Sequence, residues 1–334
     1  MEYCSTKDRT AQLIRLLADG QYHSGTVLAR SLGMTRAGVW KAMQGIRSRF
    51  GLEIHSHKRW GYRLSHPLEL LDEEKIRSHL PADARRHLAQ LEIFQELDST
   101  NAYLLRQGRI DAPRGRVCLA EYQRAGRGRR GRSWASPFGS NLYLSLLWRY
   151  ALAPQELGAL SLALGASIAQ VLENFGVQEI ALKWPNDLLW HKRKLGGILI
   201  EMVAESQGPC LVVVGLGINT RLSPAAAASI QQPWTDLESI LGTGACSRNA
   251  LAAALIGALL QTMTTYEIRG FPAFLPAWQR YDRYLGEAVE LHQGTKVLRG
   301  IYRGITDTGA LRLEGKGGMQ CFQGGEVSLR TRSS

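Results

Sequence analysis

Long apolar runs are absent from this 334-residue sequence. No stretch approaches the ~18 consecutive apolar residues of a membrane span, and no apolar segment follows Met1, so neither a spanning helix nor an export signal is expected. Cysteine is scarce: the five present (Cys4, Cys118, Cys210, Cys246, Cys321) form no CxxC pair. That argues against a disulfide framework and a zinc site, and favours the reducing cytosol. There is no GxxxxGKS or GxxxxGKT phosphate loop, no GxSxG, no metal-spaced Cys/His set, no internal repeat and no long low-complexity tract. Hydrophobic residues nonetheless make up 45% of the chain, enough for two or three domains with a sizeable core.

Net charge is also missing from most of the chain. Residues 1–66 hold eleven Lys or Arg against four Asp or Glu, and residues 114–132 hold seven Arg against one Glu. Against a formal total of +12, everything else is close to neutral. Two separate basic elements suggest two anionic partners.

In the first element, Leu13, Ile14, Leu16 and Leu17 mark an amphipathic helix stopping at Gly20. Ser24 then caps a short helix bearing Val27, Leu28 and Leu32. Thr35 caps a third helix with Val39, Ala42, Met43, Ile46 and Phe50 on its apolar stripe. Three helices with a glycine-containing turn before the third make a helix-turn-helix. "LEIHSHKRWGYRL" follows as two short strands joined by a basic turn at His57 to Arg59, which is a wing. Thr35, Arg36, Trp40, Lys41, Gln44 and Arg47 on the third helix, with Lys58 and Arg59 on the wing, are the candidate DNA contacts. A solvated basic bundle used for protein contacts is the alternative.

From Pro67 the composition shifts. "PLELLDEEKIRSHLPAD" is acidic and helical, and "LEIFQELDSTNAYLLRQG" reads as a strand and then a helix capped by Asp98 or Ser99. Arg124 to Arg132 carries five arginines and three glycines in nine positions, bracketed by the strands "RVCLAEYQ" and "SNLYLSLLWRY". Bracketed in this way, it suits a small-anion loop better than a disordered nucleic-acid tail: glycines let backbone approach a ligand, and arginines offer forked donors to phosphate or carboxylate. A solvated loop remains the bland alternative. "IALKWPNDLLWHKRKLGGILIEM" gives three strands and two turns, and "CLVVVGLGINT" a buried strand ending on Gly215, Gly217 and Asn219. The last segment alternates in short strands with turns at "QG", "TDTG" and "KGG".

"GRGRRGRSW", "KWPNDL", "RKLGGILIE" and "GLGIN", in this order after "DSTN", resemble biotin protein ligases. With the winged helix-turn-helix, the chain resembles their bifunctional bacterial form, which also represses the biotin operon. The resemblance implies an α+β multidomain fold. It places a DNA-binding domain over 1–66, a class II synthetase-like mixed α/β catalytic domain of the biotin/lipoate ligase type over 67–280, and an SH3-like barrel over 281–334. Biotin, ATP and Mg²⁺ are the implied cofactors. A lysine of the biotin carboxyl carrier protein is the implied acceptor, reached through biotinyl-5′-AMP. The implied partners also include operator DNA and a homodimer formed with adenylate bound; no membrane is implied. A biotin-sensing regulator without turnover and a lipoate ligase are the competing functions.

Residue by residue, the resemblance puts biotin contacts on Ser99, Thr100, Asn101, Gln123, Arg127, Gly128, Arg129 and Lys194. Lys194, Arg129 and Arg127 would carry the chemistry. Arg132, Trp134, Lys183, Asn186, Asp187, Asn219 and Trp234 would face ATP or the adenylate, with Trp134 along biotin's apolar tail, Trp234 over adenine, and Asp187 and Asn219 near a Mg²⁺ ion. The strand Gly196 to Val203, if at a sheet edge, could pair across a two-fold axis.

Overall fold

Helix caps set the N-terminal architecture. The computed structural model describes residues 6–110, 112–203, 210–293, 295–323 and 327–331, so Cys4 and the glycine of the "QG" turn lie outside the described residues. After α1 (Thr6–Leu17), α2 (Gly25–Ser31) begins where the Ser24 hydroxyl accepts the Val27 amide, and α3 (Arg36–Phe50) where the Thr35 hydroxyl accepts the Gly38 amide. Leu13, Ile14, Leu17, Leu28, Val39, Met43 and Ile46 bury one another between the helices. β1 (Ile54–His57) and β2 (Gly61–Leu64) form the antiparallel wing. His23 and Tyr62 exchange two backbone hydrogen bonds, 2.8 and 2.9 Å, which stitch the wing to the α1–α2 connection.

The acidic segment is helical only in part: α4 (Glu73–His79) begins at its Asp72 cap and α5 (Ala82–Arg85) follows, while residues 67–71 form no helix. Contacts from distant sequence hold the non-helical piece. Glu69 accepts the Ser247 hydroxyl and the Arg248 and Asn249 amides, and Glu121 accepts the Leu71 amide.

The central layer is a seven-stranded sheet in the order β3-β4-β5-β9-β8-β7-β6. In chain order its parts are β3 (Gln90–Phe94), α6 (Thr100–Gly108), β4 (Arg116–Ala120), β5 (Asn141–Tyr150), α7 (Leu160–Asn174), β6 (Ile180–Lys183), β7 (Asp187–Trp190), β8 (Arg193–Val203) and β9 (Cys210–Asn219). β3 and β4 run parallel and every other pair antiparallel. The short α8 (Pro224–Ala227) and α9 (Leu237–Leu241) lead to α10 (Arg248–Arg269) and α11 (Leu275–Tyr281). Segments Pro154–Asn174 and Arg248–Arg269 are long and apolar enough to cross a membrane, but 61% of each apolar window is buried against the sheet and its neighbours. These are core helices, and their apolarity answers to packing.

β8 is an edge over only half its length. Gly196 and Gly197 pair with β9 on one side and β7 on the other, and β7 begins at Asp187, opposite Gly197, so it covers nothing beyond. From Leu199 to Val203, no strand among the described residues pairs opposite β9. The expected edge from Gly196 to Val203 therefore shrinks to its second half.

A second sheet, fully antiparallel, closes the chain: β10 (Ala288–Gln293), β11 (Lys296–Ile305), β12 (Leu311–Gly315), β13 (Gly318–Phe322) and β14 (Val327–Thr331), in the order β13-β12-β11-β10-β14. Val289, Leu291, Tyr302 and Leu311 join the main core, and Trp184 Nε1 donates to Gly309 O at 3.1 Å.

Arg248, at the start of α10, braces the layers. Its guanidinium donates to Glu121 Oε2 (2.9 Å), to Asn141 O (2.8 Å) and to Glu69 O, with Arg248 and Glu121 both buried. Arg248→Leu leaves Glu121 as an uncompensated buried charge, so a loss of about 3–5 kcal/mol is expected. A urea-denaturation midpoint within error of the wild type would contradict that loss.

Candidate functional site

The site grows from the N-terminus of α6. Ser99 caps this helix, its hydroxyl accepting the Ala102 amide at 3.5 Å, and Ser99, Thr100 and Asn101 are all buried. The Thr100 amide (2.9 Å) and hydroxyl (3.1 Å) both donate to Gln123 Oε1. Gln123 Nε2 then donates to Ser136 Oγ, which donates to Trp134 O, each at 3.0 Å. Ser145 Oγ, from β5, lies 2.7 Å from Thr100 Oγ1 and 2.6 Å from Asn101 Oδ1, and Asn101 Nδ2 donates to Glu201 Oε2 at 2.9 Å. This buried polar cluster holds its donors and acceptors in fixed positions by bonding them to one another.

Ser136, Ser145 and Glu201 are additions that sequence reasoning missed. Ser145 gave a signal, as the lone hydroxyl inside the apolar run "LYLSLLW"; so did Glu201, the first carboxylate after "GGILI".

The Arg-Gly run forms a hairpin between β4 and β5, in line with the strand-bracketed connection expected. Gly128 N donates to Arg132 O (2.7 Å), Trp134 N to Gly126 O (2.9 Å), and Arg127 pairs with Ser133. Arg130 (φ 58°) and Gly131 (φ 71°) make the left-handed turn at its tip. Arg127 and Arg132 are exposed while Arg129 turns inward; Arg127 also approaches Glu201 Oε1 at 3.8 Å.

Glycines of β9 admit the hairpin's base. A Cβ on Gly217 would lie 2.5 Å from the Trp134 ring, and one on Gly215 would lie 2.3 Å from Asn101 Oδ1. Trp134 thus lies against the sheet, with Lys194 Nζ 5.5 Å from its ring centroid. Among the described residues its buried indole Nε1 has no hydrogen-bond partner, a cost of ~1–3 kcal/mol that a ligand acceptor would relieve.

Cations line the far side. Asp187 at the head of β7 sits between Lys194 (2.7 Å) and Lys183 (3.1 Å). Burial alone would raise the Asp187 carboxyl, but the two ammoniums outweigh it and hold it below the usual carboxylate range. Arg129 Nη1 donates to Asn186 Oδ1 (2.9 Å), and Asn186 Nδ2 to Ile198 O (2.9 Å). Burial draws the Arg129 guanidinium below its ordinary value, with Asp187 pulling the other way, and an arginine keeps its proton at neutral pH regardless. Lys194 exchanges backbone hydrogen bonds with Pro233 O and Thr235 N, both 2.9 Å, so the half-buried Trp234 lies alongside it.

The metal expectation does not fit these residues. Both Asp187 oxygens face lysines, and Asn219 is a buried brace, its Nδ2 donating to Thr235 O (3.0 Å) and Lys194 O (3.4 Å) while Oδ1 accepts from Asn141 Nδ2 (3.5 Å). No group of three metal-ligating side chains occurs among the described residues.

On the N-terminal unit, Thr35, Arg36, Trp40, Lys41, Lys58 and Arg59 are exposed and Gln44 is half-buried. Arg47 departs from the expectation. It is half-buried and its Nη2 donates to Ile54 O, so it ties α3 to the wing root and is not free to reach a base.

Three family models match along the chain: HTH domain over 9–63, Biotin/lipoate A/B protein ligase family over 93–219, and Biotin protein ligase C terminal domain over 284–330. The chain is 41% identical to the bifunctional ligase/repressor BirA of Salmonella typhimurium, over 97% of this chain and 99% of that one. Against BirA of Bacillus subtilis the identity is 28%, over 93% and 95%. A solved biotin protein ligase from Aquifex aeolicus, in complex with biotin and ATP, matches with TM-score 0.62 and 29% identity, covering 73% of this chain and all of that one. Fold and site therefore define a biotin/lipoate-type ligase joined to a helix-turn-helix unit. The chain belongs to the biotin protein ligase family, among the bifunctional ligase/repressors.

Proposed function

We propose that this chain activates biotin with ATP, transfers it to a carrier-protein lysine and, holding the adenylate, represses the biotin operon. One observation carries the ligase half: a row of cations (Lys183, Lys194, Arg129) stands opposite the buried hydroxyl-and-amide cluster, with the Trp134 indole between. A neutral ureido ring fits the cluster, an apolar tail fits Trp134, and a carboxylate then lies beside the cations. In the first step a carboxylate oxygen attacks the α-phosphorus of ATP and the bond to pyrophosphate breaks. Two anions must approach, so positive charge held in a dry site lowers the barrier. Lys194 contacts the carboxylate and α-phosphate, and Arg129 with Lys183 the phosphates. Arg132, exposed at the hairpin, and Trp234, beside Lys194, are the groups placed to cover the nucleotide. In the second step the carrier lysine attacks the acyl carbon and AMP leaves.

Mg²⁺ enters with the triphosphate, because Asp187 and Asn219 are already engaged. The exposed charges of α3 and the wing meet operator DNA, adenylate binding favours a homodimer through the open half of β8, and the compartment is the cytoplasm. The domain limits are 1–66, 67–280 and 281–334.

Purified protein given biotin and ATP labelled at the α-phosphate is expected to retain labelled adenylate, whereas lipoate in place of biotin is not. Retention with lipoate alone would favour the lipoate-ligase alternative. Arg129→Ala is expected to release the adenylate about ten-fold faster or more, since it removes a charged donor. Its nonspecific DNA binding, measured by anisotropy, stays at the wild-type level; a matching loss of both would return the hairpin to nucleic-acid duty.

A further inference from the structure

The wing carries an aromatic cluster that none of the contacts above uses. Trp60 ends the turn joining β1 to β2 and is 53% exposed. His57 stacks on it with ring centroids 4.2 Å apart and planes 24° from parallel, and Tyr22 leans on it at 5.5 Å. The Arg63 guanidinium lies 4.9 Å from the Tyr22 ring centroid. The turn is fixed as well. His57 Nδ1 accepts the Arg59 and Trp60 amides at 3.3 and 3.4 Å. Gly61 (φ 95°) passes so close to His23 O that a Cβ would lie 2.0 Å from it. The His23–Tyr62 bridge and the Arg47 bond to Ile54 O then hold the wing against the helices.

A single exposed tryptophan needs no explanation by itself. This one is packed by two rings, rides on a hydrogen-bonded hairpin, sits directly after Lys58 and Arg59, and belongs to a segment with eleven cations and four carboxylates. An anionic partner with apolar walls satisfies all of these features. Duplex DNA has phosphates for the cations and, in its minor groove, sugar and base edges for a flat ring.

We propose that Trp60 is a groove-reading contact of the wing: with α3 in the major groove, Lys58 and Arg59 meet backbone phosphates while the indole packs into the adjacent minor groove. This inference rests on the repressor reading of residues 1–66. Its physical signature separates it from charge attraction. Lysine and arginine contacts release counterions and set the salt dependence of binding, whereas an indole releases none.

The test uses full-length protein loaded with biotin and ATP, and a duplex that the wild type enriches from a random-sequence pool. Anisotropy across a KCl series is expected to show Trp60→Ala losing roughly ten-fold or more of its preference for that duplex over a random one. The salt slope stays unchanged. Lys58→Ala weakens both duplexes and lowers the slope by about one. Trp60→Phe keeps most of the preference, and thermal unfolding shows both Trp60 variants folded at the assay temperature, which separates groove reading from loss of fold. Exchanging flanking A·T pairs for G·C, which adds an amino group to the minor groove, weakens the wild type more than Trp60→Ala. Wild-type selectivity in Trp60→Ala, as an acidic protein partner for the wing would give, overturns the inference alone. Failure of the wild type to enrich any duplex overturns the repressor reading and this inference with it.

Discussion

Alanine at Lys194 is expected to slow biotin-dependent adenylate formation by on the order of 10²-fold or more, the usual effect of removing a positioned charge donor from a reacting anion. The geometry makes this variant a clean probe. Lys194 stands 2.7 Å from Asp187, but Lys183 is also only 3.1 Å away, so Asp187 keeps a partner when Lys194 goes. The pair is mostly enclosed, Lys194 keeping 15% and Asp187 13% of side-chain exposure, so the denaturation midpoint is measured beside the rate. A normal denaturation midpoint with single-turnover adenylation down by this factor assigns the loss to chemistry. Near-normal adenylation would remove Lys194 from the catalytic set. Asp187→Asn frees two ammoniums that then repel each other, so its milder defect should appear in ATP binding more than in the chemical step.

Deleting residues 1–66 is expected to abolish operator binding while adenylate formation persists. The structure adds a complication, because Phe50 at the end of α3 packs on Phe138 (ring centroids 4.8 Å) and on Tyr122 (5.5 Å). Phe138 is 2% exposed and would lose its cover on truncation. Pairing the deletion with Phe138→Ser removes that apolar surface and keeps the comparison fair. A shortened chain that still shifts operator DNA would place the DNA surface elsewhere. The same contact matters for regulation: Phe138 lies two residues from Ser136, which is bonded through Gln123 to Thr100. Glu96 pairs with both Arg49 of α3 and Arg124 at the hairpin's entry. The hairpin's entry and the end of α3 thus touch, and a contact there that changes with ligand occupancy would couple the site to DNA affinity.

Local chemistry was legible in the sequence. Ser24, Thr35 and Ser99 start their helices as caps because a hydroxyl before an apolar-periodic run has few better uses. The strand-bracketed Arg-Gly run was readable for the same reason, since both flanking strands alternate or run apolar. Matters decided by distant sequence were not. Residues 67–71 looked helical, and only the partners of Glu69 and Glu121 across the fold explain why they are not. Arg47 looked like a base reader from its helix face, but Ile54 O captures it. Whether Gly196 to Val203 lies at an edge stayed open because nothing local says how far β7 extends. Asn219 sits at a strand end, where a ligand contact and a brace look alike until Asn141 and Thr235 are in place.

If one chain makes an acyl-adenylate in the hairpin site and answers to it with residues 1–66, carrier protein and operator DNA draw on the same loaded state. The most direct test incubates the purified full-length protein with biotin, ATP, Mg²⁺ and an apo carboxyl carrier domain, following biotin on the carrier and operator retardation in the same mixture. Biotin appears on the carrier, and operator binding, strong while adenylate accumulates without acceptor, falls as the acceptor consumes it. No biotin on the carrier would rule out the ligase half, and operator binding indifferent to the acceptor would rule out the link between the two activities.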